Sequence, residues 1–295
     1  MLSAITFPGL GLSLNLPSVA LNLFGKDIFW YGIIIACGFV AAYLYMNARA
    51  PRFGLTQDNL LDMVLWAVPF GIIGARIYYC VFYWDLYRAD PISCLYIWEG
   101  GLAIYGAVIG GVIGVALCGK IRKLPIPVLL DLASFGVLIG QIFGRWGNFF
   151  NQEAHGGETT SFLRMGLLDS DGVVRYYHPT FLYESVWNLV GLIGLHLISK
   201  KRKFDGQMFL LYLFWYGLGR VWIEGMRTDS LYLFSTGIRV SQLLAAICVV
   251  AAGGLVAYVL LVRKPSGEKL YVNRLAAEKQ AAGEEQKDAA EECSQ

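Results

Sequence analysis

Seven largely apolar stretches punctuate this chain, each close to the about 20 residues that a helix needs to cross a hydrocarbon core. They lie near Ile28 to Asn47, Leu60 to Tyr83, Trp98 to Cys118, Pro127 to Phe149, Pro179 to Ser199, Gln207 to Met226 and Ile238 to Val262. The fourth and sixth end in polar residues and not in a clean apolar stop. The pattern predicts an all-α polytopic membrane protein with seven transmembrane helices. Residues 1–27 carry Pro8 and Pro17, lack a basic n-region, and are expected to form an interfacial arm lying on the bilayer, not a cleaved signal peptide. Residues 28–264 are expected to form the membrane domain. Residues 265–295, rich in Ala, Glu, Lys and Gln, are expected to be a charged cytoplasmic tail, a solvated helix or a disordered extension.

The connections set an orientation. Arg49 and Arg52 follow the first span, Lys120, Arg122 and Lys123 the third, Lys200, Lys201, Arg202 and Lys203 the fifth, and Arg263 and Lys264 the seventh. The opposite loops offer only Lys26, Arg88, Arg227 and Arg239. Positive charge is retained on the cytoplasmic side, so the N-terminus is expected outside and the C-terminus in the cytoplasm. Residues 150–178 and the N-terminal arm would then form a small extracytoplasmic head.

Composition agrees with a multi-pass membrane protein: hydrophobic residues make up 56% and charged residues 16% of the 295, against roughly 45–50% and 25% in soluble domains. Mean hydropathy is +0.52. A formal net charge of +2 is too small to suggest a nucleic-acid partner. The cysteines at 37, 80, 94, 118, 248 and 293 have no metal-like spacing and read as ordinary buried thiols. His155, His178 and His196 are dispersed, and neither a metal nor another cofactor is expected.

The polar residues inside the spans carry the functional signal. Arg76 lies 16 residues beyond Leu60, roughly 24 Å along a helix, which places it near the outer surface. Arg145 ends the fourth span at the same level, Arg220, Glu224 and Arg227 fall in the last turns of the sixth, and Tyr31, Glu99 and Tyr105 in the first turns of the first and third. One such arginine would only snorkel to the headgroups. Several on separate spans point to a shared anionic ligand, because guanidinium is a permanent cation whose fork of donors matches phosphate oxygens. A lipid headgroup phosphate is the abundant anion at that depth, and Asn148 and Asn151 can orient it by donating and accepting together. Gly106, Gly110 and Gly114 on the third span and Gly136, Gly140 and Gly144 on the fourth predict flat stripes for close helix approach. Gly147 and Gly156 lie outside the stripes and are expected to let the backbone turn.

The stretch "GRWGNFFNQEAHG" at 144–156 resembles the signature of the prolipoprotein diacylglyceryl transferase family. Companion stretches follow in family order: "FPGLG" at 7–11, "WYG" at 30–32, "GARIYY" at 74–79, "WEGGLAIYGAVIGG" at 98–111, "HPTFLYE" at 178–184 and "YGLGRVWIEGMR" at 216–227. The resemblance spans nearly the whole chain to about residue 262. It implies an enzyme of the bacterial plasma membrane that moves diacylglyceryl from phosphatidylglycerol to the lipobox cysteine of a prolipoprotein signal peptide. It also implies that Arg145 and Arg220 contact the lipid phosphate and stabilise charge as glycerol phosphate leaves. Asn148, Glu153 and Gly156 match the signature's essential positions, Tyr31 the first-span tyrosine, and Glu224 the acid one turn after the second arginine.

Arg76, Asn151 and Arg227 are expected to assist lipid binding. Some family members have histidine where this chain has Tyr105, so a histidine base cannot be carried over, and Tyr105 is expected to hydrogen-bond the substrate. The residues alone leave a transporter or a lipid-binding protein open, since either could line an anionic headgroup site with arginine. His155 reads as loop decoration, and Glu184 as a buried ion pair.

Overall fold

The computed structural model describes residues 2–169, 171–227 and 239–292. Its helices are α1 (Trp30–Arg49), α2 (Gln57–Phe82), α3 (Trp84–Tyr87), α4 (Ile104–Ile121), α5 (Ile126–Asn151), α6 (Thr180–Ser199), α7 (Gln207–Ile223), α8 (Val240–Tyr258) and α9 (Tyr271–Glu292). Its strands are β1 (Leu2–Phe7), β2 (Leu12–Pro17), β3 (Val19–Leu23), β4 (Lys26–Phe29), β5 (Met165–Leu168) and β6 (Val174–Tyr177). Two compact units result, Met1–Tyr45 with Ala133–Gly267, and Met46–Leu132 with Glu268–Gln295.

The protein is mostly helical, and six stretches among the described residues are long and apolar enough to cross a membrane: Trp30–Phe53, α2, α4, α5, α6 and Val240–Arg263. Their large apolar side chains are exposed, Leu65, Ile77, Val108, Ile193 and Val250 among them. Water would penalise such surfaces, whereas hydrocarbon solvates them. The expected sixth span is the shorter helix α7, 17 residues long, continued by a 3-10 turn over Glu224–Met226. Ile238, where the seventh was expected to begin, lies outside the described residues, as does Cys293.

The chain is not entirely α. In the first unit β1, β2, β5 and β6 form an antiparallel sheet in the order β2-β1-β5-β6, and β3 and β4 form a separate hairpin. The N-terminal residues thus carry strands β1 to β4. Leu2 to Phe7 pairs in register with Leu12 to Pro17, and Thr6 lies opposite Gly166. Alternate residues of β1 face inward, and Ile5 and Phe7 pack with Met165, Leu167, Phe149 and Phe181. This small core ties the sheet to the ends of α5 and α6.

The β5–β6 turn is closed by Arg175, which pairs with Asp169 and, at 2.5 Å, with Asp171. Hydrogen bonds to Asp169 and then Asp171 raise the Arg175 guanidinium above its ordinary value. Burial, followed by a hydrogen bond to Asp169, raises the Tyr177 phenol.

In the second unit, α2 begins three residues earlier than expected because Thr56 caps it. The Thr56 hydroxyl accepts from the Asn59 amide at 3.2 Å, and Asn59 Oδ1 accepts from the Thr56 amide at 3.0 Å. Helices α2 and α4 pack backbone to backbone along the third-span stripe. A Cβ at Gly106 would lie 2.5 Å from Tyr78 Cβ, one at Gly110 2.9 Å from the Phe70 carbonyl carbon, and one at Gly114 2.5 Å from the Trp66 oxygen. Two glycines of the fourth-span stripe are open. Among the described residues a Cβ at Gly140 would meet nothing within 4 Å, and one at Gly144 only Ile35 Cδ1 at 3.9 Å.

Helix α4 also starts six residues later than the expected Trp98. Gly100 and Gly101 have φ of 89° and 70°, so no helix runs through them. Trp98 and Glu99 sit in a 3-10 turn, and Tyr105 lies in the first turn of α4. The start of α9 packs in the same unit, where a Cβ at Gly54 would lie 3.1 Å from Val272 Cα.

Candidate active site: an arginine cluster around Glu184

Within the first unit, α5, α6 and α7 deliver their polar residues to one carboxylate. Arg145 Nη2 lies 2.8 Å from Glu184 Oε2, Arg220 Nη1 3.6 Å from the same oxygen, and Arg227 Nη1 3.4 Å from Oε1. Side-chain exposure is 22% for Arg145, 18% for Arg220, 9% for Arg227 and 6% for Glu184, so the charges are largely dehydrated. Glu224, one turn after Arg220, pairs with Arg220 Nη2 at 2.6 Å. That contact is a buried ion pair through Glu224 Oε2. The other oxygen accepts from Ser241 Oγ at 2.6 Å, and the Glu224 carbonyl accepts from Arg239.

Among the described residues of these ion pairs, guanidinium groups outnumber carboxylates, and Arg220 Nη1 is buried without a hydrogen bond. A dehydrated excess of positive charge costs several kcal/mol and favours an arriving anion.

The signature stretch supports this cluster from one side. Asn148, one turn after Arg145, accepts from Arg145 Nη1 at 3.1 Å and donates to Glu153 Oε1 at 2.8 Å. Asn151 donates to the same Glu153 oxygen at 3.3 Å. Helix α5 continues through Gly147 to Asn151, and Gln152 and Ala154, both at φ 55°, turn the chain after it. Gly147 instead makes room for the Tyr31 ring, whose Cδ2 would lie 2.8 Å from a Cβ there.

Gly156 also acts by lacking a side chain. It bridges to Arg227 as in an antiparallel ladder, donates to the His178 oxygen at 3.0 Å, and leaves a Cβ only 2.7 Å from His178 Cβ. With Gly157 donating to the Met226 oxygen at 2.8 Å, the loop fixes the backbone that presents Arg227. His155 reaches the Gly156 carbonyl and lies against Tyr177.

Helices α6 and α7 are held in register by two indoles just below the charges. Trp187 Nε1 donates to the Trp215 oxygen at 3.0 Å and Trp215 Nε1 to the Trp187 oxygen at 2.9 Å, with the rings stacked 4.3 Å apart. Each ring lies over a glycine, Trp187 over Gly219 and Trp215 over Gly191.

Two expected site residues lie in the second unit. Arg76 is buried, and its guanidinium donates from Nε to the Cys94 oxygen at 2.8 Å, from Nη1 to Gly100 at 2.6 Å and Gly101 at 3.1 Å, and from Nη2 to Ser93 at 2.8 Å. With its donors spent on carbonyls, Arg76 pins the segment ahead of α4 and has little left for a phosphate. Tyr105 lies beside Tyr78, ring centroids 6.2 Å apart.

Glu184 is the residue the sequence undervalued. Its signals were its place at the end of the "HPTFLYE" stretch and in the opening turns of an apolar span, and both fit an inert ion pair equally well. Arg239 and Ser241 gave no signal beyond a position near the start of α8. Among the described residues no three His, Cys, Asp or Glu side chains gather as a metal site.

The family model described as prolipoprotein diacylglyceryl transferase matches residues 18–258. The chain is similar to proteins called phosphatidylglycerol--prolipoprotein diacylglyceryl transferase in several bacteria. It is 42% identical to that of Halalkalibacterium halodurans over 244 residues, 80% of this chain and 84% of the relative. It is 42% identical to that of Lysinibacillus sphaericus over 264 residues, 86% and 96% of the two chains. It is also 42% identical to that of Enterococcus faecalis over 266 residues, 87% and 94%.

Proposed function

Because the chain belongs to the prolipoprotein diacylglyceryl transferase family, we propose that it transfers diacylglyceryl from phosphatidylglycerol to the lipobox cysteine of a prolipoprotein, forming a thioether and releasing glycerol phosphate. The observation that carries this reading is the convergence of Arg145, Arg220 and Arg227 on Glu184, with Arg220 Nη1 buried without a hydrogen bond. A phosphodiester brings one negative charge and unshared oxygens to a place with surplus guanidinium.

The acceptor thiol, with a reference pKa near 8.5, reacts as thiolate. It attacks the glycerol carbon next to the phosphate, a carbon–sulfur bond forms as the carbon–oxygen bond breaks, and the electron pair stays on the departing phosphate oxygen. Arg145 and Arg220 stabilise that growing charge, which is where prearranged donors lower a barrier most. Asn148, held by Glu153, orients Arg145, and Glu224 orients Arg220. Arg227 and Asn151 complete the headgroup site, Gly156 sets its backbone, and Tyr31 and Tyr105 hydrogen-bond substrate.

The same reading has seven spans in a bacterial plasma membrane, N-terminus outside and C-terminus in the cytoplasm. Helix α7 with its 3-10 turn supplies roughly 30 Å of the sixth span at about 1.5 Å per residue. The basic residues that follow α1, α4, α6 and α8 support the orientation.

Purified protein incubated with phosphatidylglycerol and a lipobox peptide is expected to yield the thioether-linked peptide, read by its mass. Transbilayer movement of labelled lipid without that product would make the protein a transporter. Lipid retention alone would make it a binding protein.

A further inference from the structure

Gln141 lies on α5 one turn before Arg145, and Tyr212 on α7 two turns before Arg220, all within the first unit. Their side chains join the two helices, Gln141 Nε2 donating to the Tyr212 hydroxyl at 3.1 Å. Tyr216 fills the turn between Tyr212 and Arg220, its ring stacked on that of Tyr212 with centroids 5.9 Å apart. The hydrogen bonding of this half-buried pair is incomplete. Gln141 Oε1 is buried with no hydrogen-bond partner among the described residues. The Tyr212 oxygen accepts from the amide, so its own hydrogen is left over. Turning the amide over lets Oε1 accept from the phenol instead and frees the Nε2 hydrogens. Either way the pair keeps a donor for an acceptor that the described residues do not supply.

We propose that Gln141 and Tyr212 form a binding site for an ester carbonyl of the diacylglyceryl group. The proposal rests on the reading of Arg145 and Arg220 as the phosphate site. Four residues of helix rise about 6 Å, so in the proposed orientation the pair sits one to two turns deeper in the bilayer than those arginines. A glycerophospholipid held by its phosphate carries its ester carbonyls a few bonds deeper, and below them it has only hydrocarbon. An unspent donor at that depth costs free energy, which a carbonyl oxygen relieves. The α5 surface beside Gln141 has room for a glyceride, because a Cβ at Gly140 would meet nothing within 4 Å and one at Gly144 only Ile35 Cδ1 at 3.9 Å. The contact leaves the breaking carbon–oxygen bond untouched. Gln141 and Tyr212 are thus specificity residues, which favour ester-linked chains over ether-linked chains under the same headgroup.

The full-length protein in detergent is offered diester phosphatidylglycerol in competition with the dialkyl ether analogue of equal chain length, and the retained lipids are read by mass. The wild-type protein is expected to favour the ester about fivefold, the weight of one hydrogen bond. The double variant Tyr212→Phe with Gln141→Leu removes both possible donors, and its preference is expected to fall to within about twofold of parity, with retention of the ether lipid unchanged. That unchanged retention shows the fold and the headgroup site intact. A wild-type protein without ester preference overturns the proposal. So does a preference that survives in the double variant, which would leave a trapped water as the pair's partner, or an equal loss of both lipids, which would make the pair structural. Thioether product is scored on the same samples with a lipobox peptide. Ester preference without product would sink the transfer reading and keep this site, and product without preference would do the reverse.

Discussion

At Arg220 one guanidinium nitrogen pairs with Glu224 and another is buried without a hydrogen bond, whereas Arg76 donates to four backbone carbonyls. Equal residue types at comparable helix positions therefore predict opposite phenotypes. Arg220→Lys keeps the charge but loses the planar fork, and turnover is expected to fall about 100-fold while lipid binding persists. Steady-state product formation beside a lipid-retention assay checks this, and equal loss of both would show that Arg220 acts in ground-state binding. Arg76→Lys is expected to destabilise the fold by about 3 kcal/mol, because one ammonium cannot serve four spread carbonyls. Thermal unfolding in detergent reads that loss, and an unchanged KM for lipid would separate Arg76 from the headgroup site. Both arginines were visible in the sequence as buried charges. The partners of Arg76 were not, since an N–H satisfied by a carbonyl leaves no mark in residue type.

Helices were legible by their apolar length, and their ends less so. The left-handed Gly100 and Gly101 delay α4, the Thr56 cap advances α2, and α5 runs on through Gly147. Glycines spaced by four predicted close approach on two helices, and the stripe on α4 meets a neighbouring backbone tightly, whereas Gly140 and Gly144 on α5 do not among the described residues. Spacing says which side of a helix is flat, and tertiary packing decides whether another helix uses it. The indole pair between α6 and α7 makes a corresponding prediction. A Cβ in Gly219→Ala would lie 2.5 Å from Trp187 Cδ1, forcing the helices apart next to the Glu184–Arg220 contact. Turnover is expected to drop at least tenfold together with a lower unfolding midpoint, as overpacking in a tight interface costs about 1–3 kcal/mol. Gly225→Ala is the control, since among the described residues its Cβ would meet nothing nearer than Gln242 Nε2 at 3.5 Å, and little change is expected there.

For the whole molecule, a chain this apolar with so few charges must solve its exposure in lipid, and that much follows from composition. The tail is expected to contribute little to chemistry: truncation after Arg274 should leave turnover within about twofold, because an exposed terminal helix carries few contacts. The same assay on membranes from the truncated strain checks it. The apolar runs, the basic loops and the clustered arginines of the signature stretches were fixed by the linear order of residues, since span length and charge are local properties. Only the tertiary structure decided that β1 pairs with β5 across most of the chain, that Glu184 is the hub on which three arginines meet, and that Arg76 is spent on a loop. Those outcomes depend on which groups from distant segments arrive within hydrogen-bonding distance, and folding alone brings them there.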